Sequence, residues 1–137
     1  MIKIVFNNKT LAIIIPKDYS EDGIHFFTPN EYSQQLAYMK RPIGYAIPPH
    51  THNVVQRDVF QTLETIFIRK GRVRVNFYSD ERKFVESREL TTGDVILLAS
   101  GGHGFTMLEP TEMIEVKQGP YSGDADKIRF ERKHDES

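Results

Sequence analysis

Short apolar or alternating segments recur along this chain about every 8 to 12 residues, and turn-forming residues separate them. Asn7-Asn8, Lys70-Gly71 and Thr92-Gly93 are examples of these separators. The segments cover residues 2–6, 11–17, 23–28, 44–52, 64–70, 72–78, 84–90, 94–99, 103–109 and 112–117. This spacing is typical of a β-sandwich or β-barrel, so the sequence predicts an all-β fold.

One stretch departs from the strand pattern. Thr28-Pro29-Asn30-Glu31 combines an N-cap residue, a proline at the first helical position and a reciprocal glutamate, which together predict one short helix. Residues 34–40 could extend that helix, or could form a strand that pairs with residues 44–48 across the Arg41-Pro42 turn. We favour the strand.

The chain has the size and composition of one domain. Its 137 residues include 9 Phe and 6 Tyr, enough bulky apolar material for one core. No repeat or linker divides it, so we predict a single domain over residues 1–137. Residues 120–137 are strongly charged, with only Ile128 and Phe130 as anchors, and predict an appendage with a frayed tail and little chemistry.

Composition excludes several kinds of site. The chain has no cysteine, so disulfides, thiolate zinc sites, iron–sulfur clusters and cysteine nucleophiles are excluded. Its 18 Lys and Arg balance 19 Asp and Glu, so no strong field attracts nucleic acid or an anionic membrane. The longest apolar runs are far shorter than the ~20 residues that span a bilayer, and the first residues do not resemble a signal peptide. We therefore expect a soluble, cytoplasmic protein with a small-molecule ligand.

The histidines suggest a metal site. His50 and His52 are separated by one residue in a predicted strand, so their rings lie on one face and can converge on one ion. Glu64 shares a strand face with Ile66 and Ile68. A carboxylate buried there is costly unless a cation or a basic side chain neutralises it.

His103 supplies a further candidate ligand. It follows Gly101-Gly102, and these glycines allow a tight turn that brings the ring inward. Three imidazole nitrogens and one carboxylate oxygen suit iron(II), manganese, nickel, cobalt or zinc. The alternative is that the histidine pair decorates the surface and His103 fills a loop. His25 and His134 have no predicted role.

These residues follow a known pattern. Gly44, His50, His52, Glu64 and Gly71 fit the first cupin motif, which is a glycine, five residues, His-x-His, a gap, a glutamate, six residues and a glycine. The run from Gly93 to Phe105 resembles the second motif, although His103 comes one residue early and Ala99 replaces the usual proline. Residues 44–117 thus resemble the cupin superfamily, with a longer gap before Glu64 and with Gln56 as the alternative ligand.

The resemblance carries expectations about fold and function. It implies a double-stranded β-helix, the cupin or jelly-roll barrel, with a divalent transition metal on His50, His52, Glu64 and His103. Residues 49–53 and 111–121 resemble small stand-alone cupins associated with bacterial surface-sugar or sugar-nucleotide biosynthesis. The resemblance therefore implies an isomerase or epimerase acting on a sugar or sugar nucleotide. A non-catalytic carbohydrate- or metabolite-binding cupin and an iron-dependent dioxygenase are the alternatives.

Isomerisation requires a general base beside the substrate. Glu115, Tyr45 and Tyr38 are the candidates if their side chains face inward, and Lys117 is then a candidate substrate contact. Glu115 and Lys117 could equally be a solvated surface pair.

The N-terminal segments also predict an interface. Residues 2–6 and 11–16 are rich in Ile and Val, and edge strands of this kind are rarely left bare. We therefore expect a homodimer formed through these strands.

Overall fold

The computed structural model describes residues 1–132, and residues 133–137, including His134 and the end of the predicted frayed tail, lie outside the described residues. The chain divides into two compact units. The larger unit comprises Met1–Tyr19 and Thr62–Ser137, and the smaller unit comprises Ser20–Gln61.

Almost all of the regular secondary structure in both units is β-strand, which confirms the all-β prediction. The strands are β1 (Ile2–Phe6), β2 (Lys9–Ile15), β3 (Gly23–Phe26), β4 (Ala37–Lys40), β5 (Glu64–Lys70), β6 (Arg72–Tyr78), β7 (Phe84–Thr91), β8 (Val95–Leu98), β9 (Gly102–Met107) and β10 (Glu112–Lys117). A 3₁₀ helix over Gly123–Asp126 is the only helix among residues 1–132.

The larger unit is built from two antiparallel sheets. A five-stranded sheet has the order β1-β2-β8-β5-β10, and a three-stranded sheet has the order β7-β6-β9. Within the described part of the chain the two sheets share no strand, so they form an open sandwich and the predicted closed barrel is not seen. The core cluster between them comprises Ile4, Leu11, Ala12, Ile14, Ile66, Ile68, Val73, Val75, Phe77, Leu90, Ile96 and Leu98.

Alternation along β5 and β6 explains which side chains form this core. Ile66 and Ile68 are buried, whereas Phe67 between them is 39% exposed on the outer face of the sheet. On β6, Val75 and Phe77 are buried in the core cluster. Successive side chains of a strand point to opposite faces, so the same alternation places Glu64 on the core side.

Turns form where the sequence predicts them, as a hairpin between β1 and β2 and as a connection between the two sheets from β5 to β6. Asn7 and Asn8 join β1 to β2 with φ angles of 50° and 61°. Asparagine tolerates this left-handed region, and paired left-handed residues match the twist of a two-residue hairpin. Gly71 joins β5 to β6 with φ 109°, where a Cβ atom would lie 2.5 Å from the carbonyl oxygen of Pro110. Only glycine fits this turn.

The predicted short helix is wrong. Thr28 does not cap a helix; its hydroxyl donates to Gln35 Oε1 at 2.8 Å and accepts from the Leu36 amide at 3.2 Å. The Gln35 amide group in turn donates to the carbonyl oxygens of Pro29 and Tyr32. These side-chain bonds stabilise a compact turn in which the backbone does not continue into a helix.

The predicted strand within residues 34–40 is confirmed, but its predicted partner is wrong. Strand β4 pairs antiparallel with β3, with Gly23 opposite Lys40 and Phe26 opposite Ala37. It does not pair with residues 44–48.

The predicted strand over residues 44–52 is also wrong, since the chain has no regular secondary structure from Tyr45 to Phe60. Pro48 and Pro49 stand in the middle of the predicted strand. Proline has no amide hydrogen to donate to a ladder, so two consecutive prolines favour an irregular path.

The N-terminal strands differ in their position in the sheet. Strand β1 lies at the edge, with Val5 47% exposed, whereas β2 lies between β1 and β8. Of these two strands, only β1 therefore offers an open edge, and the homodimer stays a prediction.

No helix within residues 1–132 has the length and apolar character needed to cross a bilayer.

Candidate active site

A carboxylate, an imidazole and an ammonium group meet in the larger unit. His103 Nε2 lies 3.1 Å from Glu64 Oε2, and Lys117 Nζ lies 3.4 Å from Glu64 Oε1. The Glu64 side chain is 12% exposed, whereas those of His103 and Lys117 are 30% and 35% exposed. The carboxylate is thus largely covered, and its two partners reach the surface.

Strand register brings the three side chains together. Lys117 on β10 is the direct cross-strand partner of Glu64 on β5, so their side chains share a face of the five-stranded sheet. His103 on β9 is the partner of Phe77 on β6, whose side chain is in the core. His103 therefore faces the interior from the three-stranded sheet. The cluster joins the two sheets across the sandwich.

The His103 ring has a second fixed contact. It packs against Phe105, two residues further along the same strand, with 5.6 Å between ring centroids and an angle of 63° between the ring planes. Phe105 itself packs against the core. The imidazole is therefore positioned by Glu64 on one side and by an aromatic ring on the other.

Charge and hydrogen bonding keep Glu64 ionised. The hydrogen bond with His103 lowers the pKa of Glu64, and the charges of His103 and Lys117 act in the same direction, against the opposing effect of burial. The negative charge of Glu64 in turn raises the pKa of Lys117. At neutral pH the site thus contains a carboxylate that can hold and orient the imidazole.

This electrostatic arrangement predicts a pH dependence of stability. The folded-state pKa of Glu64 lies below its unfolded value of about 4.3. The ionised group therefore contributes stability above pH ~4.3 that is lost as the pH falls through the folded pKa. Glu64→Gln should lower the free energy of unfolding at pH 7 by about 1–3 kcal/mol, and by less in acid. Urea unfolding at several pH values measures this.

Glu86 supplies the matched control, because this carboxylate pairs with Arg88 at the exposed surface. Glu86→Gln should follow the wild-type pH profile. The prediction would be contradicted if the free energies of unfolding of the wild type and of Glu64→Gln differed by the same amount at pH 7 and in acid.

The Glu64–His103 pair lies in the wall of a cleft of about 870 Å³. The cleft is bounded by β9, by polar and aromatic side chains of β6, and by residues 126–132. Its lining residues are Thr62, Glu64, Asn76, Tyr78, Gly101, Gly102, His103, Gly104, Phe105, Thr106, Asp126, Lys127, Ile128, Arg129, Phe130 and Arg132. The volume suits a small metabolite.

The predicted metal ligands are divided between the two units. Glu64 and His103 lie together in the larger unit, and His50 and His52 lie in the smaller unit. The rings of His50 and His52 are 5.2 Å apart, and His50 Nδ1 lies 2.9 Å from the Pro48 carbonyl oxygen. The two rings are neighbours, although the strand that was expected to align them is not formed.

The donor atoms of the larger unit fit a metal ion in part. Two ligands of one ion, each about 2.0–2.2 Å from it, can lie as close as the 3.1 Å between Glu64 and His103. The nearby Lys117 ammonium opposes a second cation. No group of three or more candidate ligands is found among residues 1–132. The four-residue metal site stays a prediction.

The predicted general bases also divide between the units. Tyr38 and Tyr45 belong to the smaller unit, where the Arg41 guanidinium lies 4.5 Å from the centre of the Tyr45 ring. Glu115 lies on β10 opposite Ile66, on the same inward face as Lys117. The inward orientation that makes Glu115 and Lys117 candidates is thus present, but neither residue is in the wall of the cleft.

Two contributors to the cleft escape sequence reasoning. One is Asn76, which is 3% exposed; the only signal was an asparagine inside a strand of apolar residues, where it is disfavoured. The other is the C-terminal appendage, for which we predicted little chemistry. Its predicted anchor Phe130 packs on Tyr78 at 4.9 Å, but Ile128 is 72% exposed.

Comparisons of the chain with protein-family models, with curated proteins and with solved structures found no match. Membership of the cupin superfamily therefore stays a prediction.

Proposed function

We propose that this chain is a cupin-type domain that binds a small polar metabolite, such as a sugar or sugar nucleotide, and moves a proton on it. The observation that carries the proposal is the Glu64–His103 pair in the wall of the cleft, with its 3.1 Å separation. Imidazole is the side chain most often used for proton transfer near neutral pH.

The chemistry follows from the roles of the three side chains. His103 accepts a proton from a carbon next to a carbonyl group of the metabolite and returns a proton to the same or a neighbouring carbon. Glu64 accepts a hydrogen bond from the ring and stabilises the imidazolium that forms. The hydrogen bond with His103 and, to a lesser extent, the charge of Lys117 lower the pKa of Glu64 and keep it ionised. Such a transfer is an isomerisation or epimerisation, and it consumes no co-reactant.

The cupin assignment draws its support from the motif residues. Glu64 and His103 are motif residues that lie side by side in the larger unit, although they are 39 positions apart in the chain. The antiparallel sandwich around them is compatible with an open form of a jelly roll, which is itself a pair of packed sheets.

The experiment that tests the proposal is a solvent-exchange assay. The purified full-length protein is incubated in D₂O with a panel of sugars and sugar nucleotides, and ¹H NMR follows the C–H signals next to each carbonyl. We expect protein-dependent loss of one such signal. Saturable binding without any exchange would favour the non-catalytic alternative, and neither binding nor exchange would overturn the proposal.

The predicted metal site has its own test. If His50, His52, Glu64 and His103 hold a divalent transition metal, the ion would act as a Lewis acid on an oxygen of the ligand. We then expect purified wild-type protein to contain close to one metal ion per chain, and His50→Ala and Glu64→Ala to lose most of it. Mass spectrometry of the metal content measures this.

His25→Ala supplies the control for metal content, because His25 lies outside the predicted set and contacts the Asp22 carbonyl oxygen. Its metal content should equal that of the wild type. Wild-type protein refolded with each candidate metal and still free of it would rule the site out, while the proton-transfer proposal would stand.

A further inference from the structure

Asn76 presents an unsatisfied polar atom beside the cleft. The residue is 3% exposed, and its Oδ1 atom has no hydrogen-bond partner among residues 1–132. Buried polar atoms are nearly always paired, and an unpaired one costs about 1–3 kcal/mol. Because Asn76 also lines the cleft, a ligand that donates a hydrogen bond would remove this cost.

The space next to Asn76 is kept open by a glycine. Gly104 on β9 is the direct cross-strand partner of Asn76, so both residues lie on the same face of the three-stranded sheet. Of the atoms in residues 1–132, a Cβ atom at Gly104 would meet only Tyr78 Cε2, at 4.0 Å. Because Gly104 has no side chain, an open space remains above its backbone, between the amide of Asn76 and the ring of Tyr78.

The last described residues cross this face, and we call residues 127–132 the C-terminal strap. Phe130 packs edge to face on Tyr78, and Arg132 Nη1 donates to Thr106 Oγ1 at 3.1 Å. In each contact, a single side chain of the strap packs against or bonds to the three-stranded sheet. The strap covers the space above Gly104 but leaves it open, because Gly104 and residues of the strap both line the cleft.

We propose that Asn76 and the space above Gly104 form a hydroxyl-binding subsite, in which Asn76 Oδ1 accepts a hydrogen bond from a polyhydroxylated ligand beneath the C-terminal strap. The amide side chain suits this ligand class, because its oxygen accepts from one hydroxyl group while its nitrogen donates to a neighbouring one. The aromatic ring of Tyr78 provides an apolar wall for the carbon skeleton.

This subsite rests on the proposed function only in that both place the ligand in the same cleft. Asn76 and Gly104 lie on the face of the three-stranded sheet opposite to His103, since residues 103 and 104 are successive on β9. Binding of hydroxyl groups at Asn76 can therefore be tested without any turnover.

The test uses glycerol as a hydroxyl probe and dimethyl sulfoxide as a probe of similar size that only accepts hydrogen bonds. In ¹⁵N-labelled full-length protein, glycerol should shift the Asn76 side-chain amide signals in a saturable manner, and dimethyl sulfoxide should not. Gly104→Ala should weaken the glycerol affinity at least tenfold, because the new methyl group occupies the subsite. Equal responses to the two probes would overturn the proposal.

One further variant checks that the loss of glycerol binding is specific to the subsite. Gly119→Ala is the matched control, because a Cβ atom there meets nothing within 4 Å and Gly119 does not line the cleft. It should bind glycerol like the wild type. Wild-type protein that binds glycerol but catalyses no proton exchange on any metabolite of the panel would contradict the proposed function and leave the subsite intact.

Stability gives a second, independent readout. Asn76→Leu removes the unpaired carbonyl oxygen and keeps the branching of the side chain at Cγ, so it should abolish glycerol binding while the Tm stays equal or rises. A Tm that falls by more than about 4 °C would mean that Oδ1 has a structural partner such as an ordered water, and would overturn the proposal.

Discussion

Replacing His103 with glutamine should slow the proton exchange on the metabolite by about 10²–10⁴-fold, the range that a positioned general base contributes. Glutamine retains a hydrogen-bonding side chain of similar length but cannot take up a proton. The loss should appear in kcat, with KM changed far less, because the proton is transferred in the transition state. Initial rates of deuterium incorporation, measured by NMR over a range of metabolite concentrations, give both constants.

The control for this variant is His25→Gln. His25 is an imidazole of the smaller unit that contacts the Asp22 carbonyl oxygen at 2.7 Å, and we place it outside the site. Its exchange rate should equal that of the wild type. If His103→Gln exchanged protons as fast as the wild type, another residue would be the base and the role assigned to His103 would be wrong.

The largest expected effect on stability is at Phe77. Its ring is 1% exposed and lies in the core between the two sheets of the larger unit. Phe77→Ala should lower the free energy of unfolding by about 3–5 kcal/mol, through the lost burial and the cavity that remains. A loss of that size is a large share of the total stability of an ordinary domain. Urea denaturation followed by circular dichroism measures it.

Phe67 offers a matched comparison within the same sandwich. It lies on the outer face of β5 and is 39% exposed, so Phe67→Ala removes the same atoms from a half-covered position. We expect an effect well below half of that at Phe77. Equal losses at the two positions would mean that the outer face is as fully packed as the core, and the two-sheet arrangement would need revision.

Local patterns were sufficient for most of the larger unit. The bounds of β5, β6 and β10 agree with the sequence prediction at every residue, because each segment alternates regularly and ends at a turn. Gly71 illustrates why the turns can also be predicted from sequence, since its φ of 109° suits no other residue type. Period and turn chemistry are local properties, and both can be read along the chain.

The smaller unit was predicted less well for reasons that are also physical. The pattern at Thr28 resembles a helix cap, but its hydroxyl bonds to Gln35 and Leu36 across a turn. Side chains that can bond locally in several ways compete with regular structure, and sequence alone does not show which way prevails. At Pro48-Pro49 the two prolines should have outweighed the apolar alternation around them.

The sequence singled out Glu64, His103 and Lys117 as candidates, but it did not show how these three side chains pair. Alternation placed Glu64 on the core face, and the glycines before His103 suggested that its ring turns inward. That Lys117 neutralises the carboxylate could not be read from the sequence, because it depends on the register between β5 and β10. Register between distant strands is set by long-range packing, which a single sequence does not display.

The reactive cluster bridges two separate sheets, since Glu64 and Lys117 belong to one and His103 to the other. Sliding one sheet along the other by a single residue, about 3.4 Å, would part imidazole from carboxylate while every backbone ladder survived. The proposed proton transfer therefore depends on how the side chains of the two sheets pack against each other. Under gentle denaturation, turnover should vanish while the far-ultraviolet spectrum still looks native, as in a molten globule.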